Sequence, residues 1–167
     1  MNLLLAALRL IHIVAAFAWV GLSMAMAVYI LPTATIIGES GLRYLKALYT
    51  RTPFNMAFAA TSGVTVLAGI LLYLLRASDH YSSVGQIVLG VGALAGLAAG
   101  IHGGAVIART SRAFEEALKQ QVPDGQPISA DASASLTATE RLLAEQSRIA
   151  LILTAIALIG MASARYL

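Results

Sequence analysis

The chain has no cysteine among its 167 residues, which removes disulfides, thiolate metal sites and cysteine-based catalysis together. Charge is scarce as well. Asp, Glu, Lys and Arg make up 11% of the residues, against about 25% in soluble domains. The apolar runs hold no mid-span carboxylate, which argues against a proton-driven transporter. No nucleophile–base–acid set can be assembled, which argues against hydrolysis. The net charge of +3 comes from scattered residues, and no basic run points to nucleic acid.

What is present is apolar. Hydrophobic residues make up 59% of the chain and mean hydropathy is +0.80, so much of the surface is expected to face lipid. Four apolar runs cover about 3–31, 53–75, 84–108 and 147–164. Each is long enough to cross a hydrocarbon core about 30 Å thick, and a spanning backbone must satisfy its own hydrogen bonds as helix. Pro32 is expected to close the first helix, and Pro53 to open the second. Continuous apolar runs without period-two alternation argue against a β-barrel. The expected fold is all-α, an antiparallel four-helix transmembrane bundle forming one domain over 1–167.

The run Ala25-Met26-Ala27 looks like a signal-peptide cleavage site. The apolar stretch before it is much longer than the 7–15 residues of a signal core, and no basic segment precedes it. The first run is therefore expected to stay as a span. Lys and Arg set the orientation. The connection between the first two spans holds Arg43, Lys46 and Arg51, and that between the last two holds Arg109, Arg112, Lys119, Arg141 and Arg148. The other side has Arg9, Arg76 and Arg165. Both long connections are expected in the cytoplasm and both termini outside, in a bacterial inner membrane. The connection 109–146 reads as a helical hairpin. Its amphipathic flanks, 111–121 and 135–146, extend spans three and four, and a flexible loop lies at 120–135. Thr137 and Glu140 read as a capping box opening the last helix.

The chemistry concentrates in span one. His12, Ala15, Ala16, Trp19, Ser23 and Met26 share a face by helical spacing, with Arg9 one turn before. An imidazole, two small residues and an indole suit a flat ligand pressed against a helix, and neutral imidazole is a standard axial ligand of haem iron. The plainer alternative is that His12 hydrogen-bonds a neighbouring helix. Span two carries Phe58, Thr61, Ser62, Thr65 and Gly69 on one face, which suits close helix contact. Arg76, Asp79 and His80 follow it, so Arg9, His12, Arg76 and His80 are candidates for one outer-leaflet cluster. In span three, Gly92, Gly96, Gly100 and Gly104 form a small-residue ridge, for packing or for a partner helix. His102 lies about 200° round from Gly100. Counted from the span starts, His12 and His102 differ in depth by about 13 Å at ~1.5 Å per residue, which argues against one haem clamped by both. Copper is the competing metal, with Met24, Met26, Met56 and Met161 as thioether donors.

The stretch from Leu10 through His12, Trp19 and Gly21 to Tyr29-Ile30-Leu31-Pro32 resembles the opening helix of a broad bacterial membrane family. That family includes CopD-like copper-resistance domains, small four-span relatives and HemJ-type protoporphyrinogen oxidases. The ending Met161-Ala162-Ser163-Ala164-Arg165-Tyr166-Leu167 is similar to the close of the small relatives. The resemblance implies haem ligation at His12, with Trp19 and Gly21 matching the aromatic and small positions after it. Thr33 stands where the oxidases have an arginine. The expected function is b-type haem binding with a redox or electron-transfer role. His12 would be the axial ligand, Arg9 or Arg76 would pair with a propionate, and Trp19, Ala15 and Ala16 would line the ring. His102 would be a second ligand or mark a second site. Lipid, a quinone or other redox partner, and a homo-oligomer or larger complex joined through the glycine ridge are the expected partners. The alternatives are a non-enzymatic membrane subunit and a copper-handling protein.

Overall fold

The structure, a computed structural model, describes residues 3–75 and 83–167. Every element among them is helical. Helix α1 (Leu3–Met24) passes through a π-helical segment, Ala25–Ile30, into α2 (Leu31–Ile37). Helix α3 (Glu39–Arg51) turns back and α4 (Phe54–Leu74) follows. Helix α5 (Val84–His102) passes through a second π-helical segment, Gly103–Ile107, into α6 (Ala108–Gln121). Helix α7 (Ala130–Ser163) ends in a 3-10 turn, Ala164–Tyr166. Four of these continuous helices are long and apolar enough to cross a membrane: Leu3–Ile37, Phe54–Leu74, Val84–Gln121 and Ala130–Tyr166. The fold is an antiparallel four-helix transmembrane bundle, and the chain is a multi-pass membrane protein.

The four helices differ in length. With 21 residues, α4 rises about 31 Å at ~1.5 Å per residue, the thickness of a hydrocarbon core. The other three run 35 to 38 residues and overshoot by about 20–25 Å. Their surplus gathers with α3 into a head, where Met26, Leu31, Ala34, Leu42, Leu45, Tyr49, Phe114, Leu118, Val122, Ile128, Leu136 and Leu143 form one buried cluster. Two glycines make the α2–α3 reversal. Gly38 has φ +60°, in the left-handed region open to glycine. A Cβ on Gly41 would sit 2.0 Å from the Ala34 carbonyl oxygen, so α3 lies directly on the α2 backbone.

Below the head, α1 pairs with α4 and α5 with α7, and lesser α1–α7 and α4–α5 contacts close the ring. The glycine ridge is used inside the bundle. A Cβ on Gly92 would meet Met161 and Ala157 backbone, one on Gly96 the Ala157 and Met161 side chains, and one on Gly100 the Val66 side chain. Only Gly104 of the four faces open space. Buried hydroxyls return to their own helix: Ser23 donates to the Trp19 carbonyl, Thr65 to Thr61 and Thr154 to Ala150. This lets a polar side chain sit among apolar neighbours at little cost.

Several expectations are corrected. Pro32 does not close the first helix, which continues to Ile37. The π-helical segment just upstream widens the backbone ladder where proline has no N–H to give and crowds the preceding turn. The connection between the first two spans, for which the sequence reading names only the basic residues, is helical, because Leu42, Leu45 and Tyr49 form an apolar stripe at helical spacing. Thr137 does not cap α7. Ser129 is the N-cap, accepting from the Ala132 N–H, and α7 starts at Ala130. The loop between α6 and α7 accordingly shrinks to 122–129. The flanks of this loop are helical, as α6 and the first half of α7.

Candidate functional site

His12 lies on the inward face of α1. Its Nδ1 is 2.8 Å from the Thr65 carbonyl oxygen on α4, and its Cε1 lies 2.9 Å from where a Gly69 Cβ would be. Thr65 supplies the acceptor and Gly69 the space for the ring. A carbonyl can only accept, so Nδ1 carries the proton, and in the neutral ring Nε2 holds the lone pair. This is the arrangement by which proteins fix a ligating imidazole, with one nitrogen tied to a carbonyl and the other left basic. Thr65 and Gly69 were legible as one face of span two; their pairing with His12 was not.

Around His12, Trp19 is buried, Ala15 and Ala16 are partly buried and Arg9 is exposed. An apolar groove of about 430 Å3 lies between α1 and α4, lined by Leu10, Ala15, Ala18, Ala60, Thr61 and Val64 among others, and His12 is not in its lining. Arg76 and His80 lie outside the described residues, as does the expected cluster they would form with Arg9 and His12.

His102 has a buried Nε2 with no hydrogen-bond partner. Its depth differs from the sequence arithmetic. Gly100 and His12 touch the same turn of α4, at Val66 and at Thr65–Gly69 respectively, which sets His12 and His102 within about one helical turn of ~5.4 Å in height. Counting from apolar-run starts misjudged this, because α5 begins further from the head than α1 does. The two rings are nevertheless not brought together. On α5, Gly92 and Ala99 are buried and Gly92 faces α7, while Gly100 faces α4. At 100° per residue, His102 lies about 160° from Gly100, on the side turned away from α4 and so from His12.

The methionines named as copper donors also lie apart. Met26 is in the head core, Met24 and Met56 are exposed, and Met161 packs at Gly96. No group of three or more His, Asp or Glu side chains able to hold a metal ion occurs among the described residues.

The head carries a polar cluster that sequence reasoning missed. Glu140 is 1% exposed and accepts a 2.7 Å hydrogen bond from the Thr35 hydroxyl, across 105 residues of sequence. Burial pushes its carboxyl up from the usual range, against the opposing pull of the Thr35 hydrogen bond and of Arg141. Tyr49 stacks edge-on with Phe114 at 5.8 Å and Phe54 at 5.9 Å, and burial pushes its phenol up to about 12. Asn55 donates to Glu115 at 2.8 Å and Lys119 pairs with Glu115 at 2.9 Å. The signal for Glu140 was its place in the stripe Leu136, Glu140, Leu143; reading it as a capping residue hid that.

In comparison with known proteins, the chain matches no family model, no curated protein and no solved structure.

Proposed function

We propose that the protein binds a b-type haem in the membrane through His12 and serves in electron transfer. The observation that carries this reading is the His12 Nδ1–H bond to the Thr65 carbonyl, which leaves Nε2 as a fixed, basic donor. The donor chemistry fits a haem iron: one oriented neutral imidazole, flanked by Ala15, Ala16 and Trp19, with Arg9 one turn toward the open end. Bound there, the haem would supply one-electron redox chemistry. The protein's own part is to hold the His12 ring through Thr65, to give it room at Gly69, and to offer Arg9 to a propionate. His102, on a different face of the bundle, would mark a separate site. Eight of the eleven Lys and Arg residues lie on the head side or its connections, which supports a cytoplasmic head in a bacterial inner membrane and outer termini.

The test is a reduced-minus-oxidised absorption spectrum of the detergent-purified, haem-supplied protein. A Soret shift with sharp α and β bands is expected, abolished by His12→Ala. Gly69→Ala should displace the bands or weaken binding, since the new methyl would press on the ring. A flat spectrum, or an unchanged one in His12→Ala, overturns the reading.

A further inference from the structure

The α3 face that meets the α6–α7 loop forms a cavity of about 190 Å3, lined by Arg43, Lys46, Ala47, Arg51 and Asp124. That is room for about six water volumes of ~30 Å3 each. Arg43, Ala47 and Arg51 recur every four residues on one face of α3, and the small Ala47 leaves the gap between the two arginines. The opposite wall is pinned in place. Arg43 donates to the Pro123 carbonyl at 2.7 Å and to the Gln126 carbonyl, and Lys46 donates to the Val122 carbonyl at 2.7 Å. Gly125, at φ +74°, turns the loop so that Asp124 meets the cations.

Three cations thus line this cavity against one carboxylate, with Glu39 pairing Arg43 from the same helix at 2.6 Å. Asp124 is the only anion in the lining. It bonds Lys46 at 2.8 Å but reaches Arg51 only at 3.4 Å, and its own side chain is 71% exposed. The Lys46 hydrogen bond, with further help from Arg51 and Arg43, holds its carboxyl below the usual range. Arg51 is 67% exposed, and among the described residues its side chain donates one long hydrogen bond, to Asp124 at 3.4 Å, which leaves most of its fork of donors to a ligand. Its position is informative. Arg51 stands three residues before Phe54, where α4 begins, and the length of α4 matches the hydrocarbon core. Arg51 is therefore at the level of the lipid headgroups, where basic pockets engage phosphate.

We propose that this pocket binds a phosphate group, held by Arg51 and Lys46 over Ala47, with Asp124 as its internal competitor. The phosphate would belong to an anionic lipid headgroup or to a free phosphate compound; both present the same oxygens to the same donors. Arg43, whose donors are spent on Glu39 and the loop carbonyls, shapes the wall and adds positive potential.

The test uses the full chain, with Ala47→Leu to fill the gap without changing charge, Asp124→Asn to remove the competitor and Arg51→Gln to remove the free donor. Phosphatidylglycerol retention against phosphatidylcholine is read by native mass spectrometry from mixed-lipid nanodiscs, and inorganic phosphate binding by titration in detergent. Arg51→Gln should weaken binding about tenfold, the loss of one charge-assisted hydrogen bond. Ala47→Leu should weaken it further, and Asp124→Asn should strengthen it severalfold. That order with phosphatidylglycerol identifies a lipid site, and the same order with inorganic phosphate alone identifies a soluble phosphate ligand. Loss of that order with both probes overturns the proposal. Asp124 is exposed, so Asp124→Asn keeps the test decisive if Ala47→Leu does not fold.

Discussion

The head and the membrane stem are built on different principles. The head has an interior: Leu31, Leu45, Phe114, Leu118 and Leu143 are buried and join α2, α3, α6 and α7. The stem has almost none, and along α1 and α4 the side chains of Phe17, Ile13, Leu67 and Leu74 are more than 60% exposed. In water such a surface would aggregate, whereas in lipid it costs nothing, because acyl chains are as apolar as leucine. The stem is therefore held by shape, glycine against backbone, and the head by burial.

The sharpest way to break this comparison is to truncate one large side chain in each region. Phe114→Ala should cost about 3–5 kcal/mol, whereas Leu67→Ala, facing lipid, should cost less than about 0.5 kcal/mol. Unfolding in a mixed-detergent titration checks both, and similar losses would refute the division. In the stem, the expected weak point is backbone contact. Gly92→Leu would place a Cβ 3.0 Å from the Met161 nitrogen and 3.1 Å from the Ala157 oxygen, forcing α5 from α7 at roughly 1–3 kcal/mol. An inter-helix crosslink between these helices, lost in the variant, reads this directly.

Glu140 tests the head from the polar side. Its folded carboxyl sits above its unfolded value, so its contribution is fully present below about pH 4.5 and lost as pH rises through the folded value. Glu140→Gln keeps an acceptor for Thr35 and removes the charge. The variant's Tm should therefore exceed the parent's at pH 8, and the two should converge near pH 4. A small effect of opposite sign is expected at Gly104, where a Cβ meets nothing within 4 Å. Gly104→Ala should leave packing intact and stabilise by at most about 1 kcal/mol through helix propensity, visible as a slight rise in Tm.

The stem was largely legible in the sequence because a span is a matter of length and hydropathy, both local quantities. The inward face of α1 was legible too, since His12, Trp19 and Ser23 follow helical spacing. The head was not. Its existence depends on three helices overrunning the fourth, and on α3 filling the place above α4, which no single window reveals. Pro32 read as a stop because proline breaks an α-helix, and the π-helical detour around it leaves no composition signal. The depth of His102 was misjudged for a related reason: a hydropathy boundary says where a run begins, not how neighbouring runs are staggered.

The Thr35–Glu140 bond has a consequence for the order in which the chain assembles. The first hairpin, α1 with α4, is complete by residue 74, but the head core cannot close until residues 114 to 143 have been synthesised. The nascent protein must therefore hold its first hairpin and α5 before its best-packed region can exist. Closure joins segments far apart in the chain, the kind of nonlocal contact that slows folding. Interrupted synthesis before residue 114 would leave a hairpin with the apolar stripe of α3, Leu42, Leu45 and Tyr49, uncovered.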